Sequence, residues 1–160
     1  MTLRLVRVDD RLIHGQVIVV WLGALGAEVI VVVDDATARD EFLRDVLVYA
    51  APPGVEVEVY DTSAAPARLK ELADSPTPAF VLMKTPVTAL QLCEDGVEFT
   101  VLNIGGIGAT PGRRVLYKSI SASAEEIDAM HQLESLGTRV EFQIVPESRS
   151  IPLRSVVPRR

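Results

Sequence analysis

Residues 28–35 read "EVIVVVDD", in which five β-branched residues stand in a row between an acidic residue and a pair of aspartates. Polar and apolar positions do not alternate along this run, which is typical of a strand buried on both faces of a parallel sheet. Such a strand needs helices on both sides of its sheet to cover it. The stretch therefore predicts an α/β fold.

Other strand-like runs recur along the chain, with helical patterns between them. The predicted strands are 3–9, 28–35, 55–60, 79–83, 99–105 and 140–145, with 114–120 as a further candidate. The predicted helices are 16–25, 37–50, 63–73, 86–94 and 123–136. In the second of these helices, Phe42, Val46 and Tyr49 share one face. The alternation predicts βαβ units and an open, mainly parallel sheet of about six or seven strands with helices on both faces.

The composition is that of an ordinary globular chain. The 160 residues are 48% hydrophobic and 24% charged, with a net charge of −6, which argues against disorder and against a nucleic-acid-binding protein. We expect one domain over 1–160, with a core over 3–153 and a frayed, basic C-terminal tail. Cys93 is the single cysteine and is interpreted as a buried apolar residue, so a reducing, cytoplasmic location is expected. No signal peptide or membrane-spanning run is predicted.

The loop after the first predicted strand carries a dense group of functional side chains: Asp9, Asp10, Arg11 and His14. In an open α/β sheet, ligands bind outside the carboxyl ends of the strands. The helix that follows presents unpaired N–H groups at its N-terminus, which favour an anion. A guanidinium suits phosphate oxygens, and a neutral imidazole can attack phosphorus. The loop therefore fits a phosphohistidine site, with the carboxylates available to hold the imidazole tautomer.

The same residues also have a purely structural interpretation. A single histidine near the end of a strand is commonly a turn residue. An isolated Asp–Arg pair is commonly a salt bridge that pins a loop. From the residue types alone, both interpretations of His14 stay open.

Further candidate groups lie at other strand ends. The loop 103–114 is glycine-rich but lacks the spacing of a Walker loop, so we interpret it as a turn where Gly105 and Gly106 let the backbone approach the first loop. Asp34 and Asp35 lie at the end of the second strand without further ligands at a recognised metal spacing, which favours helix capping. The sequence predicts no cofactor and no metal.

Several segments resemble one bacterial family. The stretch "RVDDRLIHGQV" at 7–17 is similar to the signature of the IIB component of the mannose/fructose/sorbose family of the phosphoenolpyruvate:sugar phosphotransferase system. The segments "VVDDATARDEFLRDVLVYAAPPGVEVEVY" at 32–60, "MKTP" at 83–86, "LNIGG" at 102–106 and "VEFQIVPE" at 140–147 resemble later parts of the same family. The resemblance covers roughly residues 3 to 153.

The resemblance implies a fold, an activity and roles for three residues. It implies an α/β domain, in agreement with the pattern of strands and helices. It implies that His14 accepts a phosphoryl group on its δ nitrogen, that Arg11 stabilises this group, and that Asp10 orients the loop or the imidazole. The implied activity is that of a protein-phosphohistidine–sugar phosphotransferase.

The resemblance also implies partners. The donor would be the phosphohistidine of a IIA protein, and the acceptor a sugar bound by the membrane IIC and IID subunits, with which the chain would associate peripherally. A basic rim is expected to attract the donor; its candidate members are Arg7, Arg11, Lys84, Arg113 and Arg114. Apolar helix faces leave a homo-oligomer open, and nucleic acid is not expected as a partner.

Two other functions remain as alternatives at this point. One is a regulatory phosphoprotein of the same fold that takes no part in transport. The other is a small nucleotide-binding α/β protein. The sequence does not identify the sugar.

Overall fold

The computed structural model describes residues 2–157. The strands are β1 (Leu3–Asp9), β2 (Val29–Val33), β3 (Glu56–Tyr60), β4 (Ala79–Met83), β5 (Val101–Gly106), β6 (Arg114–Tyr117), β7 (Ile120–Ala122), β8 (Arg139–Phe142) and β9 (Ile151–Pro152). The helices are α1 (Gly15–Leu25), α2 (Asp35–Arg39), α3 (Glu41–Tyr49), α4 (Ala65–Ala73), α5 (Pro86–Glu94), α6 (Ala124–Ser135) and α7 (Leu153–Val156).

A seven-stranded sheet forms the centre of the fold, in the order β3-β2-β4-β1-β5-β8-β9. All neighbouring pairs are parallel except β8 and β9, which are antiparallel. Every residue of β2 is buried, as the unbroken apolar run predicts. The predicted mainly parallel α/β fold is confirmed.

Helices cover both faces of the sheet because the central strands alternate their side chains between two apolar layers. On β1, Val6 and Val8 join the layer beneath α4, α5 and α6, whereas Leu5 points to the layer beneath α1 and α3. Ile18 and Trp21 of α1 lie in the second layer. The strand period of two residues therefore decides which side chains of β1 meet α1.

The helix predicted over 37–50 is two helices. The chain turns at Asp40, which has extended backbone angles (φ −106°, ψ 105°) and caps α3 by accepting a hydrogen bond from the Leu43 N–H. Asp34 caps α2 in the same way through the Thr37 N–H, in agreement with the expected capping role. Two carboxylate caps so close together start two short helices in place of one long one.

The predicted apolar face of this region lies on α3 and points to solvent. The exposed fractions of Phe42, Val46 and Tyr49 are 73%, 48% and 87%, and Leu47 is the one residue of α3 that is buried. Helical spacing thus identified residues on a common face, but it did not identify the face that packs on the sheet. The homo-oligomer that apolar helix faces leave open stays a prediction.

Two further predictions need correction. The candidate strand 114–120 is an antiparallel hairpin of β6 and β7, with Lys118 in the left-handed region (φ 48°) at its turn. The expected fraying of the C-terminal tail is wrong for residues 154–157, because they continue α7 (Leu153–Val156) and Val157 is buried in the core. The part of the tail at 158–160 lies outside the described residues.

Candidate functional site

The first loop begins where β1 ends at the centre of the sheet and finishes where α1 starts. The Leu12 N–H donates to the Asp9 carbonyl oxygen at 2.9 Å, and Leu12 has a left-handed backbone (φ 59°) with a buried side chain. His14 is the N-cap of α1 and Gly15, the first helical residue, has φ 44°. A tight turn anchored by a buried leucine therefore places His14 directly at the helix N-terminus.

The carboxylate of Asp9 is the centre of this site. Its Oδ1 accepts hydrogen bonds from Arg11 N and Arg11 Nε, both at 3.1 Å, and its Oδ2 accepts from Arg11 Nη2 at 3.2 Å. The Asp9 side chain is only 1% exposed, whereas that of Arg11 is 53% exposed. Arg11 thus holds the buried carboxylate with one edge of its guanidinium while the rest of the group faces solvent.

The imidazole of His14 lies against the same carboxylate. Its Nε2 is 3.4 Å from Asp9 Oδ2, and the side chain is 26% exposed. The side chain makes no capping hydrogen bond to α1, and within residues 2–157 its Nδ1 has no hydrogen-bonding partner. A neutral imidazole that donates from Nε2 to a carboxylate keeps its lone pair on Nδ1. Asp9 therefore favours the tautomer in which Nδ1 carries the free lone pair.

The first turn of α1 suits an anion. Its backbone N–H groups have no partners within the helix, and no acidic side chain lies in this turn. The helix dipole adds partial positive charge at the same end. An anion beside His14 would therefore meet backbone donors and the Arg11 guanidinium together.

Asp10 has a different position from the one expected for an imidazole partner. Its Oδ2 accepts from the Gly108 N–H at 2.7 Å, and its own N–H donates to the Gly106 carbonyl at 3.0 Å. These two bonds fasten the glycine-rich loop to the first loop. The carboxylate next to the imidazole is Asp9, so Asp10 contacts the loop and Asp9 contacts the ring.

Arg7 was expected on a basic rim, and the structure contradicts this because its side chain is only 2% exposed. Its Nη1 donates to Asn103 Oδ1 and to the Gln143 carbonyl, and its Nη2 donates to the Ile144 carbonyl at 3.0 Å and contacts Asp9 Oδ2 at 3.4 Å. The guanidinium carbon lies 5.2 Å from the centre of the Trp21 ring, a cation–π geometry.

Sequence reasoning offered both Asp9 and Asp10 as partners of the imidazole without separating them, and it did not predict that Arg7 is buried. The signal that could have indicated their burial is their spacing: Arg7 and Asp9 lie two positions apart, on the same face of a central strand in which Arg4 is the one other charged residue. Charged residues at such positions are almost never buried unless they are paired. Their pairing was therefore predictable in principle.

Gly105 leaves the space that the Arg7 guanidinium occupies. A Cβ at this position would lie 1.9 Å from Arg7 Cζ and 2.0 Å from Nη2. The expected close approach of backbone at Gly105 and Gly106 therefore exists, but at Gly105 the neighbour is an arginine side chain. The glycine loop leads into the β6–β7 hairpin and not into a helix, unlike a nucleotide-binding loop.

Gly105→Ala is expected to lower the free energy of unfolding by about 2 kcal/mol or more, because the guanidinium must leave its carbonyl partners. Urea unfolding followed by circular dichroism measures the change. Gly23→Ala is the matched control, since a Cβ there meets open space on α1 and should stabilise the helix slightly. Equal stability of Gly105→Ala and the natural chain would contradict the packing described.

The remaining candidates for the basic rim differ in their exposure. Arg11 is half-exposed, and Arg114 lies on the exposed side of β6. Lys84 is 41% exposed and lies 3.6 Å from Asp34 Oδ2. Arg113 donates to Glu126 Oε1 at 2.9 Å and to the Gly108 carbonyl, so it also fixes the glycine loop. A free cationic surface beside His14 is therefore narrower than the sequence suggested.

The other chemically interesting residues lie away from this site. Cys93 is half-buried with its Sγ 3.9 Å from Thr138 Oγ1, and burial raises the pKa of the thiol, which disfavours a nucleophilic thiolate. Asp35 accepts from the Thr62 N–H. Over residues 2–157, no cluster of three or more His, Cys, Asp or Glu side chains is arranged to hold a metal.

Burial and charge set the ionisation of the two buried site groups. Burial alone would raise the pKa of Asp9, but the hydrogen bonds and charge of Arg11, with the charge of Arg7, hold this pKa below its usual value. Burial lowers the pKa of Arg7 to about 10, which leaves the guanidinium charged at neutral pH. The buried centre of the site therefore combines the Asp9 carboxylate with the guanidinium groups of Arg7 and Arg11.

Within residues 2–157, no helix combines the length and apolar character that crossing a membrane requires.

The site can bind an anion next to a nucleophilic nitrogen. The His14 imidazole, the Arg11 guanidinium and the first-turn N–H groups of α1 all lie near the carboxyl end of β1, so an anion held there could meet a nucleophilic nitrogen.

Comparisons with known proteins identify the family of this chain. The family model described as "PTS system sorbose subfamily IIB component" matches residues 3–160. The sorbose-specific EIIB component of Klebsiella pneumoniae is 35% identical over 151 residues, covering 94% of this chain and 92% of that protein. The mannose-specific EIIAB component of Escherichia coli K12 is 30% identical over 161 residues, covering 98% of this chain and 49% of that protein.

The same relationship holds for folded structures. The crystal structure of the IIBSor domain of the sorbose permease from Klebsiella pneumoniae superimposes with a TM-score of 0.92 at 34% identity, covering 98% of this chain and 96% of that chain. The chain therefore belongs to the sorbose subfamily of IIB components of the sugar phosphotransferase system, a family of sugar-transport phosphotransferases.

Proposed function

We propose that this chain, acting as a single IIB domain over 1–160, accepts a phosphoryl group on Nδ1 of His14 and passes it to a sugar. The donor is the phosphohistidine of a IIA protein, and the sugar is bound by membrane IIC and IID subunits. The observation that carries the proposal is the contact of His14 Nε2 with the buried carboxylate of Asp9, which leaves Nδ1 as the free nucleophilic nitrogen beside Arg11 and the α1 N-terminus.

The chemistry is a pair of phosphoryl transfers. In the first, the Nδ1 lone pair of His14 attacks phosphorus while the bond from phosphorus to the donor nitrogen breaks. In the second, a sugar hydroxyl attacks phosphorus, loses its proton, and the bond to Nδ1 breaks. Arg11 and the first-turn N–H groups of α1 stabilise the charge on the phosphoryl oxygens in both steps.

Asp9 and Asp10 support these steps without touching phosphorus. Asp9 holds the Nε2–H tautomer and stabilises the ring when it carries positive charge. Asp10 keeps the glycine-rich loop beside the first loop through the Gly108 N–H. Transfer between two positioned nitrogen nucleophiles needs mainly placement and charge stabilisation, and these are what the side chains supply.

The names of the relatives support the partners. The mannose-specific relative is an EIIAB component, of which this chain matches about half, so a IIA unit is the fitting donor. The matching crystal structure is of a domain of a sorbose permease, which supports a membrane acceptor complex and a location at its cytoplasmic face. The relatives include sorbose, fructose and mannose components, and we assign no particular sugar to this chain.

The test is phosphorylation of the purified chain by phosphoenolpyruvate, the general phosphotransferase proteins and a sorbose-type IIA protein. We expect one acid-labile, base-stable phosphoryl group, mapped by mass spectrometry to the peptide containing His14 and assigned to Nδ1 by nitrogen–phosphorus NMR couplings. Label on Nε2, or on another residue, would contradict the proposal. Label on His14 that vesicles containing IIC and IID cannot pass to sugar would favour a regulatory role.

A further inference from the structure

Two guanidinium groups share the one carboxylate that holds His14, and they differ in how they are held. Arg11 has three hydrogen bonds to Asp9 and is 53% exposed on its side chain. Arg7 has a 3.4 Å contact with the same carboxylate and a 2% exposed side chain. One of the two cations can therefore move toward a ligand in solvent, and the other cannot.

The partners of Arg7 fix it in place from several directions. Asn103 on β5 and the carbonyls of Gln143 and Ile144 after β8 accept its N–H groups, and Trp21 on α1 lies against its face. Trp21 Nε1 donates to the same Ile144 carbonyl at 3.2 Å. No buried side-chain nitrogen or oxygen of the described residues lacks a hydrogen-bond partner. Moving Arg7 would break this network, whereas moving the Arg11 side chain would break only its two guanidinium bonds to Asp9 and would leave the bond from the Arg11 backbone N–H in place.

A phosphoryl group on Nδ1 competes with Asp9 for Arg11. The phosphoryl oxygens carry more negative charge than a carboxylate and suit the same guanidinium edge. When Arg11 turns to them, Asp9 loses its closest cation while it is still buried. A buried carboxylate without a counter-charge either takes up a proton or draws Arg11 back from the phosphoryl group. Protonation would disturb the hydrogen bond to His14 Nε2, and the return of Arg11 would leave the phosphoryl group without its cation.

We infer that Arg7 is the permanent counter-charge of Asp9, which keeps this carboxylate ionised against His14 Nε2 while Arg11 moves from Asp9 to the phosphoryl group. Arg7 is therefore a positioning residue that acts through Asp9 and not a residue that touches phosphorus. The inference deepens the proposed function and rests on it. Of the two arginines in the stretch 7–17, Arg11 therefore moves to bind the phosphoryl group, and Arg7 stays fixed beside Asp9.

The first test uses the natural chain and follows the guanidinium Nε–H signals of both arginines by nitrogen-15 NMR, before and after phosphorylation by the IIA protein. The Arg7 signal is assigned by its loss in Arg7→Lys. We expect the Arg11 signal to shift on phosphorylation, and the Arg7 signal to keep its position and its slow exchange with water. An unmoved Arg11 signal, or an Arg7 signal that shifts or exchanges as much as that of Arg11, would overturn the inference.

The second test measures the equilibrium between phosphorylated IIA and phosphorylated IIB for Arg7 variants. Arg7→Met, which removes the charge, is expected to shift the equilibrium toward phosphorylated IIA by about tenfold or more. Arg7→Lys keeps the charge and should stay within about threefold of the natural chain, although both variants lose hydrogen bonds and thermal stability. Arg139→Met, at a side chain 71% exposed, is the control and should not shift it.

The outcomes separate the inference from the proposed function. Equal shifts in Arg7→Met and Arg7→Lys would show that Arg7 acts through packing alone, and would overturn its role as a counter-charge. Absence of phosphate on His14 in the natural chain would overturn the proposed function and the inference with it. If Arg7→Met does not fold, the NMR comparison and Arg7→Lys decide, because neither needs the charge to be removed.

Discussion

Replacement of His14 by alanine is expected to abolish phosphoryl acceptance completely. No other side chain of the first loop offers a nucleophilic nitrogen, and the Nδ1 atom placed at the α1 N-terminus is lost with the ring. The measurement is the stoichiometry of phosphate transferred from a phosphorylated IIA protein, read from the intact mass of the chain. The fold should be retained, because His14 makes no capping hydrogen bond and its removal should change stability by only about 0.5 kcal/mol.

The control for this experiment is His131→Ala, which removes the only other histidine of the chain. His131 lies on α6, and this variant should accept phosphate as the natural chain does. Uptake by His14→Ala at the natural level would show that another residue carries the phosphoryl group. Loss of uptake in both variants would point to a requirement for histidine outside the first loop.

Asp9→Asn is expected to have the second largest effect, because it removes the charge that Arg7, Arg11 and His14 share. Loss of one partner from a buried ion pair costs about 3 to 5 kcal/mol, since the other charge stays buried without compensation. The amide can also turn its NH₂ group toward the ring and so favour the wrong imidazole tautomer. We expect the free energy of unfolding to fall by about 3 kcal/mol and the rate of phosphoryl acceptance to fall about 100-fold.

The pH dependence of stability follows from the lowered pKa of Asp9. A carboxyl group with a lower pKa in the folded than in the unfolded chain stabilises the fold above its ordinary pKa of 3.8, and this contribution is lost as the pH falls through the folded value. The stability difference between the natural chain and Asp9→Asn should therefore be largest near neutral pH and should shrink in acid. Denaturant unfolding between neutral pH and strong acid measures it.

The control for Asp9→Asn is Asp45→Asn, at an exposed position of α3. This change should leave stability within about 0.5 kcal/mol and leave the rate of phosphoryl acceptance unaltered. A difference between Asp9→Asn and the natural chain that stays constant down to strong acid would contradict the lowered pKa. A normal rate in Asp9→Asn would remove Asp9 from the mechanism.

The hydrophobic pattern of the sequence was sufficient to predict several strands and helices. The run at 29–33 predicted the buried strand β2, and "AFVLM" at 79–83 and the helix 86–94 have the predicted bounds. Pattern did not predict which face of α3 packs inward, because Phe42 and Tyr49 have the spacing of a core face and yet lie in solvent. The fraying expected of the tail is wrong at 154–157, because its arginines and prolines gave no indication of α7 or of the buried Val157.

In the candidate site, too, the sequence predicted some features and not others. Asp10, Arg11 and His14 were predicted from one short segment and from its resemblance to the family signature, and the structure brings all three to the end of β1. The roles of the carboxylates were not separable in the sequence, since Asp9 and Asp10 are adjacent. The β1 backbone turns Asp9 inward to the ring and leaves Asp10 to hold Gly108.

The sequence by itself determined the α/β class, the strand that ends at the first loop, and the histidine with an arginine three positions before it. These depend on interactions between near neighbours, which residue order encodes directly. Only the tertiary structure decided that Arg7 is buried and which groups hold it, because the Gln143 and Ile144 carbonyls lie 136 and 137 positions away along the chain. Because Arg7 is buried, its positive charge needs a counter-charge, and Asp9 supplies it. This burial exists only when the strands have assembled into the sheet.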